Sequence, residues 1–238
     1  MRFQRPNSSP LVIQERLFLL LNAVFIASLI TSNLIFQKFF AWAPLGGYTF
    51  EISVGILPYP VTFLVTDIIS EIYGRRRAEQ VVMAGFFASL FVLGIVLLAD
   101  AVPQTEWSPV SGNTFHEVFG LFGPAIFASM SAYLVAQFVD IRIFHFWKRL
   151  TKGKHLWLRN NGSTVFSQLI DTSLVLLLLC LTGAIEWSLF WGLLENGFLF
   201  KVLVALLDTP LFYFAAWALR RVFSLGPGEE LSVTQTLA

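Results

Sequence analysis

Six runs of mostly apolar residues, each near the length of a membrane span, alternate with short polar connections along the chain. A helix crossing a bilayer takes about 20 predominantly apolar residues, because every backbone polar group has to be satisfied within the segment. The runs cover residues 17–36, 52–73, 81–99, 122–146, 165–185 and 198–219. The third holds no charged residue, and the fourth becomes less apolar after Val139. None of the connections resembles a soluble domain. The pattern predicts an all-α integral membrane protein: a cytoplasmic segment 1–16, a six-helix domain 17–223, and a flexible cytoplasmic tail 224–238 that contains Gly226-Pro227-Gly228. The first run exceeds the ~7–15 residues of a signal-peptide core, and Asn33-Leu34-Ile35-Phe36-Gln37 offers no small-residue cleavage site.

Composition agrees. Hydrophobic residues make up 56% of the 238 and charged residues 13%, against roughly 25% charged in soluble domains. With a mean hydropathy of +0.70, such a chain cannot cover a globule with polar surface, so lipid is part of its solvent. The single cysteine, Cys180, excludes an intramolecular disulfide.

Charge orients the spans. Arg2, Arg5 and Arg16 precede the first run, and Arg75, Arg76 and Arg77 follow the second. Lys148, Arg149, Lys152, Lys154 and Arg159 follow the fourth, and Arg220 and Arg221 end the sixth. The opposite connections hold Lys38 beside Asp100, Glu106, Glu117, Glu186 and Glu195. Basic residues mark cytoplasmic loops, so both termini and the even-numbered connections are expected inside. Trp147 and Trp157 give the basic connection 148–159 the look of a topology signal with interfacial aromatics rather than a nucleic-acid site.

The functional signal is the ionisable set left inside the spans: Asp67, Glu71, Asp140, Asp171, Asp208, Arg142 and Lys201. Each costs at least ~2.5 kcal/mol at a helix centre, so each needs a partner, a watery cavity or a proton. Phe63, Asp67 and Glu71 share a helical face at i, i+4 spacing. Asp67 lies seven residues before Gly74, roughly 10 Å deep, whereas Glu71 sits near the end and has Arg75 one turn on. Pro58-Tyr59-Pro60 removes backbone donors and predicts a kink or break, read either as a packing feature or as a broken helix lining a site. Gln137-x-x-Asp140 and Gln168-x-x-Asp171 each place an amide beside an acid on one face. Asp140 has Arg142 and the basic connection within reach; Asp171 has no cation near it in sequence. Lys201, Ala205 and Asp208 form a stripe, with Thr209-Pro210 predicting a local distortion. Lys201 either snorkels to the outer surface or pairs with an acid of another span. Asn33 and Gln37 end the first span on a common face.

The three histidines, His116, His145 and His155, have no metal-ligand spacing, and no phosphate-binding loop or Gly-x-Ser-x-Gly motif occurs. No metal or cofactor is implied, and an intramembrane enzyme using Asp67 and Glu71 is the outlying alternative.

The run Thr62-Phe63-Leu64-Val65-Thr66-Asp67-Ile68-Ile69-Ser70-Glu71-Ile72-Tyr73-Gly74 resembles the signature of the queuosine-precursor transporters, a vitamin-uptake-like family of six-span bacterial membrane proteins. Thr31-Ser32-Asn33, Gln137-x-x-Asp140 with Phe144, Trp157-Leu158-Arg159-Asn160, Gln168-x-x-Asp171-Thr172, Lys201 and Thr209-Pro210 extend the likeness in order along nearly the whole chain. The resemblance implies a fold like that of the substrate-binding subunits of energy-coupling-factor transporters. It implies import of a 7-deazaguanine base, cyano- or aminomethyl-substituted, across a bacterial cytoplasmic membrane, without chemistry on it. Its implied partners are the small-molecule base and the bilayer, with no nucleic acid, no evident partner subunit and self-association left open. The candidate substrate-binding or transport residues are Asn33, Phe63, Asp67, Glu71, Gln137, Asp140, Gln168, Asp171 and Lys201, which lie in the matching motifs, and Asp208, chosen for its depth in the sixth span. A binding subunit for another vitamin, driven by a separate ATP-consuming motor, is the alternative within transport.

Overall fold

The computed structural model describes residues 10–36, 38–43, 49–120, 123–183 and 185–231, with residue 10 and residues 123–128 described by backbone alone. Arg2, Arg5, Gln37, Phe122 and the tail beyond Leu231 lie outside the described residues. The elements are α1 (Pro10–Ile35), β1 (Phe39–Trp42), β2 (Phe50–Ser53), a 3-10 turn (Val54–Ile56), α2 (Tyr59–Ile72), α3 (Arg75–Ala101), the short α4 (Gly112–Phe119), α5 (Gly123–Leu150), α6 (Leu156–Leu181), a second 3-10 turn (Trp187–Leu189) and α7 (Phe190–Phe223). The chain is mostly helical, and among the described residues five stretches are long and apolar enough to cross a membrane: Leu11–Ile35, Val54–Ile72, Arg75–Ala101, Leu156–Leu181 and Trp187–Phe223.

The distribution of polarity is inverted relative to a soluble protein. Thr62, Thr66, Asp67, Ser70 and Glu71 of α2, Gln137 and Asp140 of α5, and Ser163, Ser167 and Asp171 of α6 are all buried. Leu19, Leu20, Phe87, Phe91, Phe166, Leu207, Phe214 and Trp217 face outward. In hydrocarbon an apolar side chain gains nothing by leaving the surface, whereas an ionisable one has to find protein partners. The polar groups therefore collect on the inside, around α2.

α2 is short, 14 residues, or about 21 Å, and it is the central element, packed by α1, α3, α5 and α7. The second apolar run does not form one span from residue 52. Pro58 and Pro60 fall at the cap and first turn of α2, where a missing N–H costs nothing, so the helix starts there. The residues before it form β2 and a 3-10 turn. At the other end Gly74 takes φ +82°, a left-handed conformation that glycine adopts without a Cβ clash, turning the chain into α3.

The β1–β2 hairpin departs from an all-helical expectation. Phe39 pairs with Ser53, Phe40 with Ile52, Ala41 with Glu51 and Trp42 with Phe50. Side chains alternate across a strand, so Phe50 and Ile52 are buried while Glu51 is exposed. Phe50 packs edge-on against Phe200 of α7, and Trp42 does likewise. Two further expected bounds shift. α6 begins at Leu156, which places Arg159 inside a helix instead of a loop, and α7 runs continuously through Pro210.

The hairpin's seat depends on a close approach. Ser32 Oγ donates to the Gly55 carbonyl at 2.5 Å, and Ser53 Oγ accepts from the Gly55 N–H at 3.1 Å. A Cβ on Gly55 would stand 2.6 Å from the Ser32 carbonyl oxygen and 2.9 Å from Phe36 Cβ. Gly55→Ala is expected to push the turn off α1 and destabilise the fold by about 1–3 kcal/mol, the usual range for overpacking. Thermal unfolding of the detergent-purified variant checks this; a wild-type melting temperature would show that the approach has slack.

Candidate functional site

A column of polar side chains follows one face of α2 from Tyr59 to Glu71. Twelve residues of helix separate these ends, about 18 Å. At the hairpin end the column opens into a cavity of ≈ 280 Å³ between α1, the hairpin, α2, α6 and α7. Its polar lining includes Asn33, Tyr59, Asp171, Asn196 and Lys201, with Glu51 and the hydroxyls of Ser129 and Thr172, and apolar side chains such as Ile52, Val175 and Leu193 form much of the wall.

Asp171 is the floor of this cavity. Its Oδ2 accepts from Tyr59 Oη at 2.8 Å and from Lys201 Nζ at 2.5 Å. Lys201 Nζ also lies 5.0 Å from the centre of the Tyr59 ring, within cation–π range. Asp171 Oδ1 and Asn196 Oδ1 are buried without a hydrogen-bond partner among the described residues. Both residues line the cavity, and a buried acceptor left unanswered costs free energy. Lys201 takes the cross-span pairing, not the snorkelling one.

Behind Tyr59 and Lys201 lies a void of ≈ 20 Å³ lined by Phe63, Thr164, Gln168 and Asp208. Deeper along α2, Thr66 Oγ1 donates to Gln137 Oε1 at 3.2 Å, and Gln137 Nε2 reaches Thr62 Oγ1 at 3.5 Å. Next to Thr66, Asp67 faces Asp140 and Thr164. Ser167 Oγ donates to Asp140 Oδ1 at 2.9 Å. Neither Asp67 nor Asp140 forms an ion pair among the described residues, and Arg142, expected beside Asp140, is exposed on the outer surface of α5.

The basic end of the column is closed. Glu71 has no exposed surface and meets three cations. Arg159 Nη2 is 2.5 Å from Glu71 Oε1, Arg220 binds the same oxygen, and Lys148 Nζ lies 3.6 Å from Oε2. Lys148 also donates to the Glu71 carbonyl at 3.0 Å and to Glu230 Oε1 at 2.9 Å. Arg159 Nη1 donates to the Gly153 carbonyl at 2.8 Å. Glu71 therefore does not pair with Arg75, which reaches Glu79 at 2.7 Å on its own helix. A sequence-local partner loses here because the tertiary ones are already held in place on α5, α6 and α7.

The chain matches the model of a family described as putative vitamin uptake transporter over residues 53–215, more than half of its length. The chain belongs to this uptake transporter family. A probable queuosine precursor transporter of Bacillus subtilis (strain 168) is 27% identical over 164 residues, covering 68% of this chain and 71% of that protein. A probable queuosine precursor transporter of Haemophilus influenzae (strain ATCC 51907 / DSM 11121 / KW20 / Rd) is 28% identical over 125 residues, covering 52% of this chain and half of its relative. No solved structure matches.

Within this uptake transporter the ten residues singled out by sequence separate into groups. Asn33, Asp171 and Lys201 meet at the cavity; Phe63, Gln168 and Asp208 line the void behind it. Gln137, Asp67 and Asp140 occupy the centre, and Glu71 closes the basic end. Tyr59, Asn196, Arg159 and Arg220 were missed. Tyr59 was masked by its prolines, and the arginines by their nearness to expected loop ends. Among the described residues no group of three His, Cys, Asp or Glu side chains is arranged to hold a metal ion.

The two pairings separate by mutation. Removing one partner of a buried pair strands the other charge, at about 3–5 kcal/mol. Glu71→Gln is expected to lower stability on that scale, while Arg75→Gln, which loses only a partly exposed helix-surface pair, changes it by less than about 1 kcal/mol. Parallel melting curves of the purified variants check this, and equal losses would restore the local pairing.

Proposed function

We propose that this transporter imports a 7-deazaguanine precursor of queuosine across the bacterial cytoplasmic membrane, acting alone and leaving the base chemically unchanged. The observation that carries the reading is the Asp171 carboxylate, held by Lys201 and Tyr59 at a small, mostly apolar cavity. A ligand site combines apolar walls with a few convergent polar groups. A guanine-like edge presents adjacent N–H donors that a carboxylate accepts well, and Tyr59 offers an aromatic face. The names of the relatives supply the class of base.

The proposal includes six spans. α5 is 28 residues long, about 42 Å, ample for a bilayer. Gln137, Asp140, Arg142 and His145 lower its hydropathy, and all of these but Arg142 are buried inside the protein. With α5 counted, the basic ends Arg75–Arg77, Lys148–Lys154 and Arg220–Arg221 fall together on the cytoplasmic side, both termini join them, and the cavity faces outward. Glu71 then closes the inner end of the path. Its cations also leave no free Asp67–Glu71 carboxylate pair, which weighs against an intramembrane enzyme. A motor-driven binding subunit shares the same cavity and is separated from a solitary permease by whether this chain alone supports uptake.

Two measurements follow. Cells lacking the gene, given it back, are expected to regain uptake of labelled deazaguanine base, and Asp171→Asn to reduce that uptake at least about tenfold, the lower bound for a charge-assisted hydrogen bond, at normal membrane levels. Undiminished uptake by Asp171→Asn would remove Asp171 from the site. For topology, a membrane-impermeant thiol reagent is expected to label Asn113→Cys in intact cells, and Lys152→Cys only after permeabilisation. The reverse pattern would invert the orientation.

A further inference from the structure

We infer that Lys201 sets the charge specificity of the cavity, making it a site for the neutral base and a poor one for a base bearing an ammonium group. The inference rests on the deazaguanine reading above and deepens it. The total of acids in the spans suggests a site for cations, but the pairing says otherwise. Asp171, the buried acid of the cavity, already has its own ammonium at 2.5 Å, and that pair is braced by Tyr59 Oη at 2.8 Å. The other charged groups nearby do not alter this balance. Glu51 is exposed on β2 at the mouth, and Asp208 lines the separate void behind Tyr59 and Lys201.

A cationic ligand reaching the floor has to displace Lys201 from Asp171 or sit beside it. Displacement strands a side chain that is only 15% exposed, and juxtaposition sets like charges together in a weakly screened site; both are costly. A neutral ligand meets neither penalty. It donates an N–H group to the Asp171 carboxylate, a lining residue of the cavity, and leaves the Lys201–Asp171 pair intact. The pair thus holds the carboxylate in a fixed rotamer for the neutral ligand and repels the charged one.

The test is a binding titration of the full-length protein in detergent with the 7-cyano and 7-aminomethyl deazaguanine bases, neutral and cationic respectively at pH 7. Wild type is expected to bind the cyano base at least tenfold more tightly. Lys201→Met should lower that ratio at least tenfold through a gain for the aminomethyl base, and Lys201→Arg, which keeps the charge, should preserve the wild-type preference. A purely structural role for Lys201 would weaken both ligands together and leave the ratio unchanged, which overturns the inference. A wild type that prefers the aminomethyl base overturns it without any variant. If wild type binds neither base, the deazaguanine reading itself fails and this inference falls with it.

Discussion

A carboxylate with no exposed surface, near the end of a helix among apolar neighbours, has to meet opposite charge within the protein, and Glu71 meets it from α5, α6 and α7 at once. Much of the architecture follows from that requirement. The three cations stand on three different helices, so the ends of four helices are drawn to one point. α2 becomes the axis, and the polar face that continues from Glu71 through Asp67 and Thr66 to Tyr59 is obliged to face inward. The neighbouring helices then turn their own polar faces towards it and their apolar faces to lipid. Residues 224–231, part of the expected tail, lie against the same point: the Leu231 N–H donates to the Ile72 carbonyl at 2.8 Å, and Glu230 reaches Lys148.

The opposite end of α2 is under no such constraint. Its entry is set by two prolines and by a hairpin seated on Gly55, and Asp171 there has one cation and one hydroxyl instead of three cations. One end of the polar column is therefore tied shut and the other is open. Between the ends, Asp67 and Asp140 lie together among hydroxyls, with no ion pair among the described residues.

Much of this was legible in the residues before any coordinates. The apolar runs of α1 and α3 face lipid, and their length alone marks them. The inward acids were legible because charge in a span is costly wherever it occurs, and the pairing of Lys201 with an acid of another span was one of two open readings. What escaped was tertiary. Phe50-Glu51-Ile52-Ser53 alternates for only four residues, too few to distinguish a strand from the start of a span. Arg159 looked like a loop cation because the start of α6 at Leu156 carries no capping side chain. The partners of Glu71 lie 77 to 149 positions away in sequence, whereas the tempting partner, Arg75, is one turn off. α5 showed a weak span signal for a physical reason: its inward face carries the amide and acid that the centre of the molecule needs.

The claim that the Asp171 cavity is where the base is held is tested most directly by an experimental structure of the protein with the cyano-deazaguanine base bound. The account expects the base in the cavity between Tyr59 and Asn196, its N–H edge within hydrogen-bonding distance of Asp171 Oδ1, with Lys201 still on Oδ2. A base seated instead against Asp67 and Asp140, with the Asp171–Lys201 cavity vacant, would contradict it.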